Sequence, residues 1–300
     1  MNGSFVDRRD MQRTLFAELS RMFADEVPLY DKSLALNLIC NRAVVDLLEA
    51  RFVGFTATDA QLEATSGERH GAIRIGTDEE LRWVSRFFAC FGMHPHEFYD
   101  LTALGTKSQP VISTAFRSIT EPENRVFTSL LRTELFDADT AHQIDTLLAE
   151  RSVMTEQART LIMQCEVQGG LNQQDAVALI HEATTRVFKW TGQAHGRVLY
   201  ESLCEQGFKI AADIACFKSH HLNHLTPNTL CIDLYSAAMK WRLGIIDRSE
   251  FEIGAHEALA QLLDMADTDW LLLHFRWLSF ASTDAMAPEP ISTERVREIV

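Results

Sequence analysis

Apolar residues recur at helical spacing close to the start of the chain. In "MQRTLFAELSRMFA", residues 11–24, Leu15, Phe16, Leu19, Met22 and Phe23 fall on one face, which predicts an amphipathic helix. A second helix is predicted over 34–50, "LALNLICNRAVVDLLEA". The period then changes. "SGERHGAIRIGT", residues 66–77, alternates polar and apolar positions and predicts a strand over about 69–76. Thr77 opens "TDEE", with Glu80 three residues on, a capping pattern that starts a helix ending at Gly92.

Between 97 and 132, "EFYDLTAL", "PVISTAFRSI" and "NRVFTSLLR" are short runs of β-branched and aromatic residues. Gly105, Pro110 and "EPEN" bound them, so this region predicts strands. From about 137 to 207 the pattern is helical, with a break and restart at "GGLNQQDA", 169–176. "FKIAADIACF", 208–217, reads as a strand. After Asp233 the chain reads as helix nearly to its end, with a turn at "APEPIS", 287–292, and a new helix starting in "TERVREIV". The expected class is α+β. Residues 1–235 form an α+β domain with a helical insertion at about 137–207, and 236–300 form a mainly helical extension that stops inside a charged amphipathic helix, as a truncated end would.

Composition narrows the function classes. A chain of 300 residues, 46% apolar, has enough material for a buried core. Its net charge of −14 argues against nucleic acid. It leaves room for a small anionic substrate, because a few local arginines override the global field. "MNGSFVDRRDMQR" carries charges where a signal peptide needs an apolar stretch, and runs such as "WLLL" at 270–273 are too short to span a bilayer. The six cysteines, at 40, 90, 165, 204, 216 and 231, form no CxxC pair and read as buried thiols. Together these features predict a cytoplasmic protein with neither membrane nor nucleic-acid partners.

The candidate chemistry gathers on histidines and arginines. On a strand, His70, Ala72 and Arg74 share one face, and Gly71, Ile73 and Ile75 the other. His70 and Arg74 then stand roughly 13 Å apart at the backbone with a small residue between them, a gap suited to a short, doubly charged molecule. The planar fork of an arginine binds both oxygens of a carboxylate. A solvent-facing strand with two surface polar residues fits this segment equally well. "SHHLNHLTP", 219–227, concentrates His220, His221 and His224. In extended geometry His220 and His224 share a face, yet spacing alone singles out no ligand, and plain surface-loop histidines are the alternative. Two histidines from separate strands plus a carboxylate, with open positions left over, make the facial triad of non-haem Fe(II) oxygenases. "GMHPHEF" places His94 and His96 in a turn after a helix. Arg117 of "STAFR" reads as a second anion contact or as a salt-bridge partner. Trp270 and Trp277 lie on an apolar stripe that reads as core or interface. There is no GxGxxG, P-loop or GxSxG.

"ERHGAIRIGT", "FGMHPHEFYDL", "STAFR", "RVFTSLLR" and "ADIACFKSHHLNHLTPNTLCID" resemble, in that order, the family long known as DUF1338, over about residues 10–235. Its characterised members are 2-oxoadipate dioxygenase/decarboxylases. The resemblance implies a curved central mixed β-sheet of vicinal-oxygen-chelate type, surrounded by many helices, around Fe(II) held by two histidines and one glutamate. The family histidines fall on His70 and His224, and the substrate-gripping arginine on Arg74. The implied reaction takes 2-oxoadipate and O₂ to 2-hydroxyglutarate and CO₂, late in lysine breakdown, with the substrate supplying the electrons. After Asp233 the chain departs from the family pattern and nothing matches the glutamate-bearing motif. The third ligand, a carboxylate, is therefore unassigned, although Glu289, Glu294 and Glu298 are available. The alternatives are a metal-dependent enzyme of the same fold acting on another 2-oxo acid, and a non-catalytic homologue.

Overall fold

The computed structural model describes residues 4–67, 69–103, 108–118, 124–275 and 284–285. In chain order the elements begin α1 (Arg8–Glu26), α2 (Tyr30–Arg51), β1 (Phe52–Val53), α3 (Asp59–Gly67), β2 (Arg69–Ile75) and α4 (Asp78–Cys90). Then come β3 (Met93–Asp100), β4 (Val111–Ser118), β5 (Arg125–Leu131), α5 (Ala138–Ala149), α6 (Glu156–Gln168) and α7 (Gln173–Glu182). The last are α8 (Arg197–Glu205), α9 (Lys209–Cys216), β6 (His224–Pro227), α10 (Ile232–Arg242), α11 (Arg248–Met265), α12 (Thr268–His274) and β7 (Asp284–Ala285). The contacts divide the chain into two compact units, 1–27 with 69–226 and 28–68 with 227–300. Residues 28–68 thus group with the C-terminal helices, a non-contiguous arrangement that hydrophobic periodicity does not register.

The first unit holds a five-stranded mixed sheet in the order β3-β4-β5-β2-β6. β2 runs parallel to β5, while β4 is antiparallel to both of its neighbours. The α+β class with a central mixed sheet is as expected. Ile73 and Ile75 of β2 are buried, as is Phe116 of β4, whose ring stacks on Phe88 of α4 at 4.8 Å between centroids. Phe87, Phe91 and Phe188 complete this aromatic layer. α4 begins as predicted, with the Thr77 hydroxyl accepting from the Glu80 N–H at 3.2 Å. The reciprocal bond is displaced by one residue, because Glu80 accepts from the Gly76 N–H at 2.7 Å.

Two sequence expectations fail here. "FKIAADIACF" is the helix α9, not a strand. Its three alanines and Cys216 are too small to cover a sheet but let a helix pack closely, and Ala211, Ala212, Ile214 and Ala215 are buried against Leu148, Leu199 and Leu203. "GMHPHEF" is the start of β3, so His94 and His96 lie on a strand and not in a turn. Pro95 is tolerated there because β3 is the sheet edge, and a bulge between His96 and Phe98, with Glu97 at φ 59°, bends the strand.

In the second unit, α2, α3 and α10 to α12 bury Val44, Leu48, Phe52, Leu234, Phe251, Leu259 and Phe275. Asn37 and Asn41 each donate to the Asn228 carbonyl at 2.9 Å. Trp270 stacks on His274 at 4.0 Å and packs against this core. Trp277, Glu289, Glu294 and Glu298, with the turn and helix expected over 287–300, lie outside the described residues. Among the described residues no helix is long and apolar enough to cross a membrane.

Candidate active site

Alternation on β2 buries Gly71, Ile73 and Ile75 and leaves His70, Ala72 and Arg74 half-buried on the opposite, open face. β6 alternates in the same way, with His224 and Thr226 exposed and Leu225 and Pro227 buried. The two strands are neighbours and run in opposite directions. The Asn223 N–H donates to the Ala72 carbonyl at 3.0 Å, and the Arg74 N–H to the His220 carbonyl at 3.4 Å. The Thr226 hydroxyl donates to the His70 carbonyl at 3.2 Å. Gly71 leaves room for two leucine tips, since a Cβ there would meet Leu222 Cδ1 at 2.9 Å and Leu225 Cδ1 at 3.4 Å. Leu225 therefore shares the buried face of Gly71, and His224 turns to the open face occupied by His70.

The two imidazoles are chemically ready to bind a metal. Nε2 of His70 is buried and has no hydrogen-bond partner. Burial, reinforced by the Arg125 guanidinium, the neighbouring His224 ring and the Arg117 guanidinium, pushes the His70 pKa down to about 4. Partial desolvation of the ring, then Arg74, lowers that of His224. Both rings are thus neutral at neutral pH, the form that binds metal ions. An orphaned buried nitrogen beside a second neutral imidazole fits a divalent cation. Among the described residues, no third histidine, cysteine or carboxylate joins them to form a metal-binding group.

Arg74 shares the open face but is already engaged. Its guanidinium pairs with Asp213 of α9, whose other oxygen accepts from the Tyr200 hydroxyl at 3.0 Å. Asp213 is only 6% exposed, so its charge has been taken out of water to meet this arginine. Sequence reasoning missed Asp213 because it assigned the run to a strand. A single carboxylate amid "IAADIAC" was the available signal.

The remaining histidines of "SHHLNHLTP" do other work. His220 is 1% exposed, and burial, opposed by Glu80, takes its pKa to about 4. Beside it, Arg151 grips Glu80 through two hydrogen bonds, at 2.8 and 2.6 Å, and also donates to the Ile214 and Phe217 carbonyls. His221 packs against Trp190 and Phe217. Elsewhere on the open face, Arg125 stands in register with His70, Arg117 with Arg125, and Ala115 with Phe127. The sequence flagged Arg117 but not Arg125.

A protein-family model described as 2-oxoadipate dioxygenase/decarboxylase matches residues 15–264. The chain is 40% identical over 249 residues to a 2-oxoadipate dioxygenase/decarboxylase of Pseudomonas putida, covering 79% of this chain and 51% of that one. It is 38% identical over 228 residues to the protein of the same name from Escherichia coli, covering 74% and 50%. The fold superposes on a crystal structure of the hydroxyglutarate synthase from Pseudomonas putida in complex with 2-oxoadipate, with TM-score 0.69 and 38% identity over 79% of this chain and 53% of that chain. The chain spans about half the length of the curated relatives it matches.

Proposed function

The chain belongs to the 2-oxoadipate dioxygenase/decarboxylase family, and from that premise we propose that it carries the metal- and substrate-binding face of an Fe(II)-dependent enzyme. That enzyme converts 2-oxoadipate and O₂ to 2-hydroxyglutarate and CO₂ in lysine degradation, in the cytoplasm. The observation that carries the reading is the juxtaposition of His70 and His224 on one open sheet face, with the buried Nε2 of His70 unpartnered.

His70 and His224 would hold the iron with a carboxylate as third ligand. The bound metal supplies a chelation point for the 2-oxo acid and a site for O₂. Arg74, held in place by Asp213 and Tyr200, binds a substrate carboxylate, and Ala72 leaves the space between Arg74 and His70 open. The reaction balances without a second keto acid: C1 leaves as CO₂, C2 becomes a carboxylate, and C3 acquires a hydroxyl.

Oxygen uptake and metal analysis test the proposal. Iron-loaded protein consumes O₂ on addition of 2-oxoadipate and releases an equal amount of CO₂, whereas His70→Ala loses bound iron and uptake together. Iron-loaded wild type that takes up no O₂ would sink the assignment.

A further inference from the structure

The cysteines, scattered along the sequence, gather in the fold into neighbouring pairs. Cys40 lies by Cys231, Cys216 by Cys204, and Cys90 by Cys165. All six are free thiols. Cys90 and Cys165 are in direct contact, thiol hydrogen-bonded to thiol, and each is 3% exposed.

The surrounding helices fix this contact. Cys90 is the last residue of α4, and Cys165 lies in the last turn of α6. One turn before Cys90, Arg86 grips Glu166, the chain neighbour of Cys165, through two hydrogen bonds of 2.7 Å. That fork holds the two helices in one register and neutralises the carboxylate nearest the sulfurs. Helix C-termini disfavour a thiolate, because unpaired carbonyls gather there. Arg8 of α1 offsets this at both helix ends. It donates to the Gly169 carbonyl, just past α6, at 3.4 Å, and a Cβ on Gly92, just past α4, would meet its side chain at 3.5 Å. The two sulfurs are therefore unequal. The hydrogen bond from Cys90, opposed by burial and helped by Arg8, lowers the pKa of Cys165, and the same bond raises that of Cys90. In the other pairs, burial pushes Cys40 up to about 12 and Cys216 up to about 11, so these remain thiols at neutral pH.

We propose that Cys90 and Cys165 are a peroxide-sensitive dithiol that closes to a reversible disulfide between α4 and α6. Cys165 is the attacking sulfur and Cys90 the resolving one. The Cys165 thiolate attacks one oxygen of hydrogen peroxide. An S–O bond forms, the O–O bond breaks, and the departing hydroxide takes up the proton that Cys165 gave to solvent. Cys90 then attacks the sulfenic sulfur. The S–S bond forms, the S–O bond breaks, and the hydroxyl leaves with the Cys90 proton as a second water. The two sulfurs lose two electrons, and the two peroxide oxygens gain them. A water-sized oxidant suits sulfurs this buried, and a transient, sensing disulfide is the kind that a reducing compartment permits.

Mass spectrometry of the full chain tests this. Protein freed of metal with a chelator is treated with hydrogen peroxide, quenched with catalase, unfolded, alkylated and mapped. Two of the six thiols disappear, joined as a Cys90–Cys165 peptide. Cys40, Cys204, Cys216 and Cys231 remain alkylated, and dithiothreitol restores all six. Arg8→Gln slows the loss roughly fivefold or more, because the thiolate loses its counter-charge. Cys90→Ser keeps a hydrogen-bond donor but has no resolving sulfur, so Cys165 stops at a sulfenic acid that dimedone traps. Circular dichroism checks both variants, and the wild-type map decides if either is unfolded. Six surviving thiols, or a linkage through any other cysteine, overturns the proposal. So does an unchanged rate in folded Arg8→Gln, or an unmodified Cys165 in folded Cys90→Ser.

Discussion

At the scale of single residues, the site separates groups that hold from groups that aim. His70 offers a lone pair that no neighbouring donor occupies. Arg74 offers a guanidinium whose direction is set by Asp213 and, behind it, Tyr200. Asp213→Asn keeps the shape but releases the charge that fixes Arg74. Steady-state kinetics are expected to show KM for 2-oxoadipate rising roughly tenfold or more with a much smaller change in kcat, the mark of a positioning role. Equal loss in both constants would instead place Asp213 in the chemistry. The face shared by His70 and Arg74 was legible because a period of two needs no tertiary information. Asp213 was not, because a helical run of small residues was given the wrong period, and its carboxylate then had no reason to meet β2. The Arg117–Arg125 line was also hidden, since it depends on which strands become neighbours and in what register.

At the scale of elements, the strands that carry the two histidines are joined by backbone hydrogen bonds, such as Asn223 N–H to the Ala72 carbonyl, and are steadied from behind by an ion pair. Arg151 ties Glu80 at the start of α4 to the carbonyls of Ile214 and Phe217 at the end of α9. The Arg151 side chain is 3% exposed, so removing it strands a buried carboxylate. Arg151→Met is expected to lower unfolding free energy by about 3 kcal/mol in urea titrations. A change within about 0.5 kcal/mol would mean that water replaces the arginine. The capping sequence announced α4 correctly, yet gave no hint that Glu80 serves both the helix start and Arg151. The start of β3 was also illegible from composition. Pro95 and two histidines resemble a turn, and only an edge position with a bulge makes them a strand.

At the scale of the whole molecule, acid sensitivity follows from how many histidines are buried neutral. His70, His220 and His221 are each held near a pKa of about 4, with burial as the first cause. The unfolded chain takes up protons at these sites below about pH 6.5, which the folded protein refuses until about pH 4. Stability is therefore full above pH 6.5 and falls as pH drops toward 4. Urea midpoints of metal-free protein should decline steadily between pH 7 and pH 5, and His220→Gln should flatten that decline. A midpoint constant over this range would contradict the assignment. The net charge of −14 is an average over the chain and conceals the locally basic open face of the sheet, where Arg117 and Arg125 stand in register.

His70 and His224 also lie far apart along the chain, 224 − 70 = 154 positions. An ion gripping both would act as a removable cross-link between distant stretches of polypeptide, closing a long loop that the unfolded chain leaves open. Occupancy of such a centre and persistence of the fold would then be one linked equilibrium, and metal supply would control how long the protein survives.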